Sequence, residues 1–129
     1  MAEAVVQGHC LCGACTFTLI GPHNFVGHCH CESCRRATSS PFTTWIGQEN
    51  GRWHWTGKTP VSYDSSPGNE RGFCGTCGSP MFFRSERFPN ECHFYAVLLN
   101  DPNAVMPAAQ YHSDEILNWT HAALEQPHH

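Results

Sequence analysis

A chain of 129 residues with 14% charged side chains and a formal net charge of -4 has the length of one domain, able to bury a modest core without staples. That charge excludes a general binder of nucleic acid or of anionic membranes, which needs a basic surface. The start, Met1 to Gln7, has neither a basic n-region nor a long apolar stretch. No window approaches the ~20 apolar residues of a transmembrane helix, so a cytoplasmic location is expected, where thiols stay reduced.

The chain reads as mainly β, with little helix. Cys15, Phe17 and Leu19 alternate with Ala14, Thr16 and Thr18, the period of a half-buried strand. Gly21-Pro22 ends that strand, and residues 24 to 29 are expected to return as its neighbour. Ser33 through Thr38 predicts a short helical turn. Pro41 to Ile46 is rich in Phe, Thr and Trp, which favour strands. Arg52 to Trp55, Val61 to Tyr63 and Met81 to Phe83 are further short strands. Cys92 to Leu99 is the longest apolar run and predicts a central strand. Asp114 to Trp119 predicts a second helical turn, with Ser113 as N-cap before Asp114 and Glu115. The whole chain, 1 to 129, is expected to be a single domain. The ending Gln126-Pro127-His128-His129 is set aside as a tail or part of a tag, with disorder expected from about residue 125.

Nine cysteines need an explanation. They stand at positions 10, 12, 15, 29, 31, 34, 74, 77 and 92. An odd number cannot form a complete disulfide set within one chain. Cys10-Leu11-Cys12, Cys29-His30-Cys31-Glu32-Ser33-Cys34 and Cys74-Gly75-Thr76-Cys77 are tight clusters. Two cysteines two or three apart can point two thiolates at one ion, and zinc takes four at about 2.3 Å in a tetrahedron. A disulfide framework would scatter its cysteines instead.

Seven clustered cysteines divide naturally into four plus three, because a closed site wants four ligands and a catalytic site keeps one position open. Cys74-Gly75-Thr76-Cys77-Gly78 is half of a zinc ribbon, with glycines that permit the turn bringing backbone amides to sulfur. Cys10 and Cys12 supply a second pair. Cys29, Cys31 and Cys34 then remain as a three-thiolate site. Spacing alone also admits other pairings.

Four segments carry a resemblance. They are Gly8-His9-Cys10-Leu11-Cys12-Gly13-Ala14, Cys29-His30-Cys31-Glu32-Ser33-Cys34-Arg35-Arg36, Ser40-Pro41-Phe42 and Phe73-Cys74-Gly75-Thr76-Cys77-Gly78-Ser79. Together they resemble the glutathione-dependent formaldehyde-activating enzyme family, or CENP-V/GFA domain. Asn100-Asp101-Pro102 and Trp119 fit its C-terminal half. The resemblance implies an Mss4-like fold, with several small antiparallel sheets around the cysteine clusters. It implies a structural zinc on Cys10, Cys12, Cys74 and Cys77, and a catalytic zinc on Cys29, Cys31 and Cys34. It further implies a carbon–sulfur lyase that joins formaldehyde and glutathione as S-hydroxymethylglutathione. Family members often carry a histidine after the proline of the C-terminal segment. Here Pro107 is followed by Ala108, Ala109 and Gln110.

Three thiolates and an open zinc position suit binding and deprotonation of a thiol. A small thiol such as glutathione is therefore the expected partner, with no nucleic acid and no membrane, and a homodimer is left open. Arg35 and Arg36 follow the three-cysteine motif and are the first choice for holding a substrate carboxylate. His28 and His30 flank Cys29 and are read as supporting residues ahead of ligands. Cys15 and Cys92 are read as small buried residues. Trp45, Trp53, Trp55 and Phe42 either wall a pocket or, for most of them, pack the core. A second reading makes the chain a non-catalytic zinc module that binds a protein partner.

Overall fold

The computed structural model describes residues 4–129. Ten strands and one short helix follow in the order β1 (Val5–His9), β2 (Thr16–Ile20), β3 (Phe25–Cys29), α1 (Glu32–Thr38), β4 (Thr43–Glu49), β5 (Trp53–Trp55), β6 (Val61–Ser66), β7 (Asn69–Phe73), β8 (Pro80–Ser85), β9 (Glu91–Tyr95) and β10 (Ala109–Tyr111). They form a small sheet in the order β1-β2-β5 and a seven-stranded sheet in the order β10-β3-β4-β9-β8-β7-β6. The mainly β architecture expected from the sequence is present, with β9 at the centre of the larger sheet.

Alternation along the strands gives the large sheet two different faces. Ile46 of β4, Phe82 of β8 and Cys92 and Phe94 of β9 point to the small sheet, where they meet Phe17 and Leu19 of β2 in the main core. The rings of Phe17 and Phe94 stack at 5.2 Å, and Trp53 and Trp55 of β5 pack against Phe94. The alternate residues face the other way. Trp45 of β4 and Tyr95 of β9 form a second buried cluster with Cys29 and Cys34.

Two glycines allow close approach. A Cβ on Gly8 would lie 2.3 Å from the Phe17 ring and 2.7 Å from the Leu98 carbonyl. One on Gly27 would lie 2.5 Å from Tyr111, the aromatic end of β10. Either side chain would push neighbouring elements apart.

Several expectations are corrected. Residues 24 to 29 do not pair with the strand before them: β2 pairs with β1 and β5, while β3 pairs with β4 and, in parallel, with β10. After Gly21-Pro22 the chain crosses to the large sheet, where the Asn24 amide donates to the Gly47 carbonyl. The apolar run from Cys92 to Leu99 is strand only to Tyr95; Ala96–Leu98 is a 3-10 turn. A short apolar run does not itself separate strand from turn, and the Asn100 amide here bonds the Gln7 carbonyl. The segment Asp114 to Trp119 holds only the 3-10 turn Ser113–Glu115, whose capping residue is His112 rather than Ser113. Ile116 is extended and stops it. Strands β1, β7 and β10 were not foreseen. No helix among the described residues is long and apolar enough to cross a membrane.

Candidate metal centres and the cavity beside them

Two loops build the first sulfur cluster. After β1 the chain turns so that the Cys10 amide bonds the Cys15 carbonyl and the Cys15 amide reaches Cys10 Sγ at 3.3 Å. After β7 a matching turn sends the Thr76 and Cys77 amides to Cys74 Sγ, both at 3.4 Å. The Leu11 amide joins the two by donating to Ser79 Oγ, which lies 3.2 Å from Cys77 Sγ. The Ser79 hydroxyl and backbone amide pull the Cys77 thiol down to about 5. The sulfurs of Cys10, Cys12, Cys74 and Cys77 lie within 4.8 Å of one another. Cys10 and Cys12 are 3.6 Å apart at sulfur, and Cys12 and Cys74 are 3.8 Å apart. A tetrahedron with metal–sulfur bonds of about 2.3 Å has edges of about 3.8 Å, so the set fits such an ion.

The second cluster is made by the end of β3 and the start of α1. Cys31 caps that helix, and its sulfur accepts from the Cys34 amide at 3.4 Å. The first helical turn therefore folds Cys34 back beside Cys29 and Cys31. These three sulfurs also lie within 4.8 Å of one another, with Cys29 and Cys31 3.5 Å apart. No other Cys, His, Asp or Glu among the described residues completes the group. Both sets could hold a metal ion.

The clusters differ in what they face. Cys29, Cys31 and Cys34 line a cavity of about 920 Å³, and none of the first four cysteines does. Its apolar wall comes from the second face of the large sheet. Trp45 packs on Tyr95 with ring centres 4.1 Å apart and on Phe83 at 5.9 Å. Phe25 and Tyr111 meet edge to face at 5.5 Å.

Hydrogen bonds and a buried cation bias the three thiols. Cys34 is drawn down to about 4, first by hydrogen bonding from Cys29, then from Cys31 and by the charge of Arg71, against the opposing effect of burial. Cys29 is pushed up by the same bond to Cys34 and by burial. Arg71 Nη2 lies 3.8 Å from Cys34 Sγ, and the side chain is 6% exposed. Arg71 sits in β7, directly across from Phe83, whose ring it covers at 4.8 Å. Sequence reasoning missed it. The segment Asn69-Glu70-Arg71-Gly72-Phe73 has no apolar alternation, and the only available signal was its place just ahead of Cys74.

The other expected site residues divide between this cavity and places outside it. Arg36 lines the cavity but is exposed and paired with Glu32 at 2.9 Å. Arg35 does not line it; its Nε donates to the His30 carbonyl. His28 and His30 border a separate cavity of about 340 Å³ with Phe42, Gln110 and His121. Of the four aromatic residues proposed as walls, only Trp45 lines the larger cavity. Cys15 and Cys92 are buried, at 2% and 0% exposure. His112, Asp114 and Glu115 gather at the surface; His112 and Glu115, which pair at 3.5 Å, also line the larger cavity.

An uncharacterized lyase of Schizosaccharomyces pombe is 36% identical over 84 residues, 60% of this chain and 56% of that protein. The match thus spans little more than half of the yeast relative. A Halomonas elongata protein that carries the name of a glutathione-dependent formaldehyde-activating enzyme is 27% identical over 120 residues, 84% of this chain and 73% of that one. The crystal structure of a Rhodobacter sphaeroides protein shares the fold, with a TM-score of 0.64 at 19% identity over 81% of this chain and 98% of that chain. The family described as glutathione-dependent formaldehyde-activating enzyme matches residues 5–115, and the chain belongs to that family.

Proposed function

We propose that this chain is a zinc-dependent carbon–sulfur lyase acting on the adduct of a small thiol and a small aldehyde, with S-hydroxymethylglutathione as the type substrate. Cys10, Cys12, Cys74 and Cys77 hold a structural zinc. Cys29, Cys31 and Cys34 hold a second, catalytic zinc. One contrast carries this reading: four sulfurs close the first cluster away from the cavity, while only three meet at the second, on the cavity wall. The family and the relatives' names support the reaction class.

A zinc ion on three thiolates keeps one position for an exogenous thiol and favours its anionic form. The chain's own residues supply the rest. The Cys34 amide holds Cys31 Sγ in place. Arg71 offsets negative charge at Cys34. Trp45, Phe83 and Phe25 keep the wall beside the sulfurs apolar, which strengthens every charge interaction there.

Two measurements test the reading. Elemental analysis at saturation should give two zincs per chain, the second more easily stripped by chelator. With cobalt in the second site, glutathione should change the thiolate absorption band and its disulfide should not. The change should vanish in Cys31→Ser. Should no thiol perturb the metal, the lyase reading falls, and a zinc module that binds a protein partner becomes the better account.

A further inference from the structure

Three arginines line the larger cavity, and only one is buried. Arg36 is paired with Glu32 at the surface, and Arg87 is exposed over Phe88. Arg71 is 6% exposed, and no carboxylate pairs with it among the described residues. Its Nη2 meets Cys34 Sγ, the Tyr95 hydroxyl lies within electrostatic reach of the same guanidinium, and its Nη1 is buried without a hydrogen bond of good geometry. A buried cation with an unused donor is expensive to keep. The occupant of the cavity can bring the missing acceptor. The distance to Cys34 selects which part of that occupant it is. The guanidinium whose Nη2 meets Cys34 lines the same cavity as the three sulfurs, so an acceptor on its Nη1 is expected at the reacting end of a substrate ahead of any remote carboxylate.

We propose that Arg71 is a catalytic residue whose guanidinium donates to the oxygen of the thiol–aldehyde adduct. The inference rests on the lyase reading given above. In the joining direction the thiol loses its proton to water, and the sulfur electron pair forms the carbon–sulfur bond. The carbonyl π pair moves to oxygen, which then takes a proton from water. In the cleaving direction the hydroxymethyl oxygen loses its proton and re-forms the carbonyl, and the carbon–sulfur pair returns to sulfur. No oxidant or reductant is needed. Arginine stays protonated throughout, so Arg71 stabilises the oxygen's charge and transfers no proton.

The test uses the metal-loaded full chain with Arg71→Gln and Arg71→Lys. Three quantities are read: bound metal, glutathione affinity from the cobalt band, and exchange between formaldehyde and S-hydroxymethylglutathione by NMR saturation transfer. Arg71→Gln should keep its metal and bind glutathione within about threefold of wild type, while turnover falls about 10²–10³-fold, the usual loss for one oxyanion donor. Arg71→Lys should recover part of it. Turnover within about tenfold of wild type in Arg71→Gln overturns the inference. So does a loss of metal, which limits Arg71 to balancing the charge of the thiolates, or a loss of glutathione affinity with turnover kept, which makes it a carboxylate anchor. Should Arg71→Gln fail to fold, Arg71→Lys decides alone: its turnover must fall at least about tenfold with thiol affinity kept. A wild type without exchange activity overturns the lyase reading together with this inference. An active wild type with insensitive variants overturns the inference alone.

Discussion

Cys12 and Cys74 stand 62 positions apart in the chain and 3.8 Å apart at their sulfurs. A metal held between them ties the loop after β1 to the loop after β7, and so fastens the small sheet to the large one. Structural zinc contributes on the order of 10 kcal/mol of apparent binding energy, coupled to folding. Cys74→Ser should therefore unfold or aggregate the protein. Cys31→Ser removes a sulfur from a helix cap beside an open cavity and should leave a folded chain lacking its second metal. Thermal unfolding of both variants checks this, and equal losses would refute the division of roles.

The cysteine clusters were legible in the sequence because metal-ligand geometry forces short spacing, which survives any uncertainty about strands. The strands legible as such, such as Thr16–Ile20 and Thr43–Glu49, carry an apolar or β-branched pattern. Of those missed or seen only in part, Val5–His9 has two valines but no alternation, and the others lack a pattern. Val61–Ser66 is fully exposed and showed only at its start, Asn69–Phe73 carries two charges, and Ala109–Tyr111 has three residues. Arg71 was illegible for the same reason, since its burial depends on Cys34 and Phe83, which are distant in sequence. The pairing of β3 was misread because proximity in sequence favours a hairpin, whereas the chain after Gly21-Pro22 changes sheets.

Phe94 joins the two sheets. It is fully buried on β9 and contacts Phe17, Trp53 and Trp55 of the small sheet. Phe94→Ala should cost about 3–5 kcal/mol, the range for emptying a well-packed aromatic site. Urea unfolding of the metal-loaded protein measures it. A loss below about 1 kcal/mol would mean that the sheets repack or do not meet at this ring.

Cys92 offers a reading of the core through its chemistry. Burial pushes its thiol up to about 12, against a smaller opposing effect of Arg84. At pH 8 the thiolate is therefore far scarcer there than at the ordinary value near 9. Iodoacetamide should spare Cys92 in the folded protein and modify it once urea unfolds the chain, as peptide mass spectrometry would show. The folded value lies above the unfolded one, so this group's contribution to stability is complete below about pH 9 and is lost as pH rises toward 12.

Gln110 stands in the segment after Pro107, where family members often carry a histidine, yet it does not reach the three-cysteine cavity. It lies on β10 and borders the smaller cavity, where its Oε1 is 2.6 Å from His30 Nε2. His30 is 3% exposed, and its Nδ1 has no partner. Gln110→Ala would leave both ring nitrogens of a buried histidine without a protein partner, at a cost of about 1–3 kcal/mol. Glutathione affinity should stay within about threefold of wild type, because Gln110 lines a different cavity from Cys29, Cys31 and Cys34. Urea unfolding and the cobalt-band titration separate the two effects. A large loss of thiol affinity with unchanged stability would put Gln110 at the substrate after all, and would make the replaced histidine of this segment a determinant of what the chain binds.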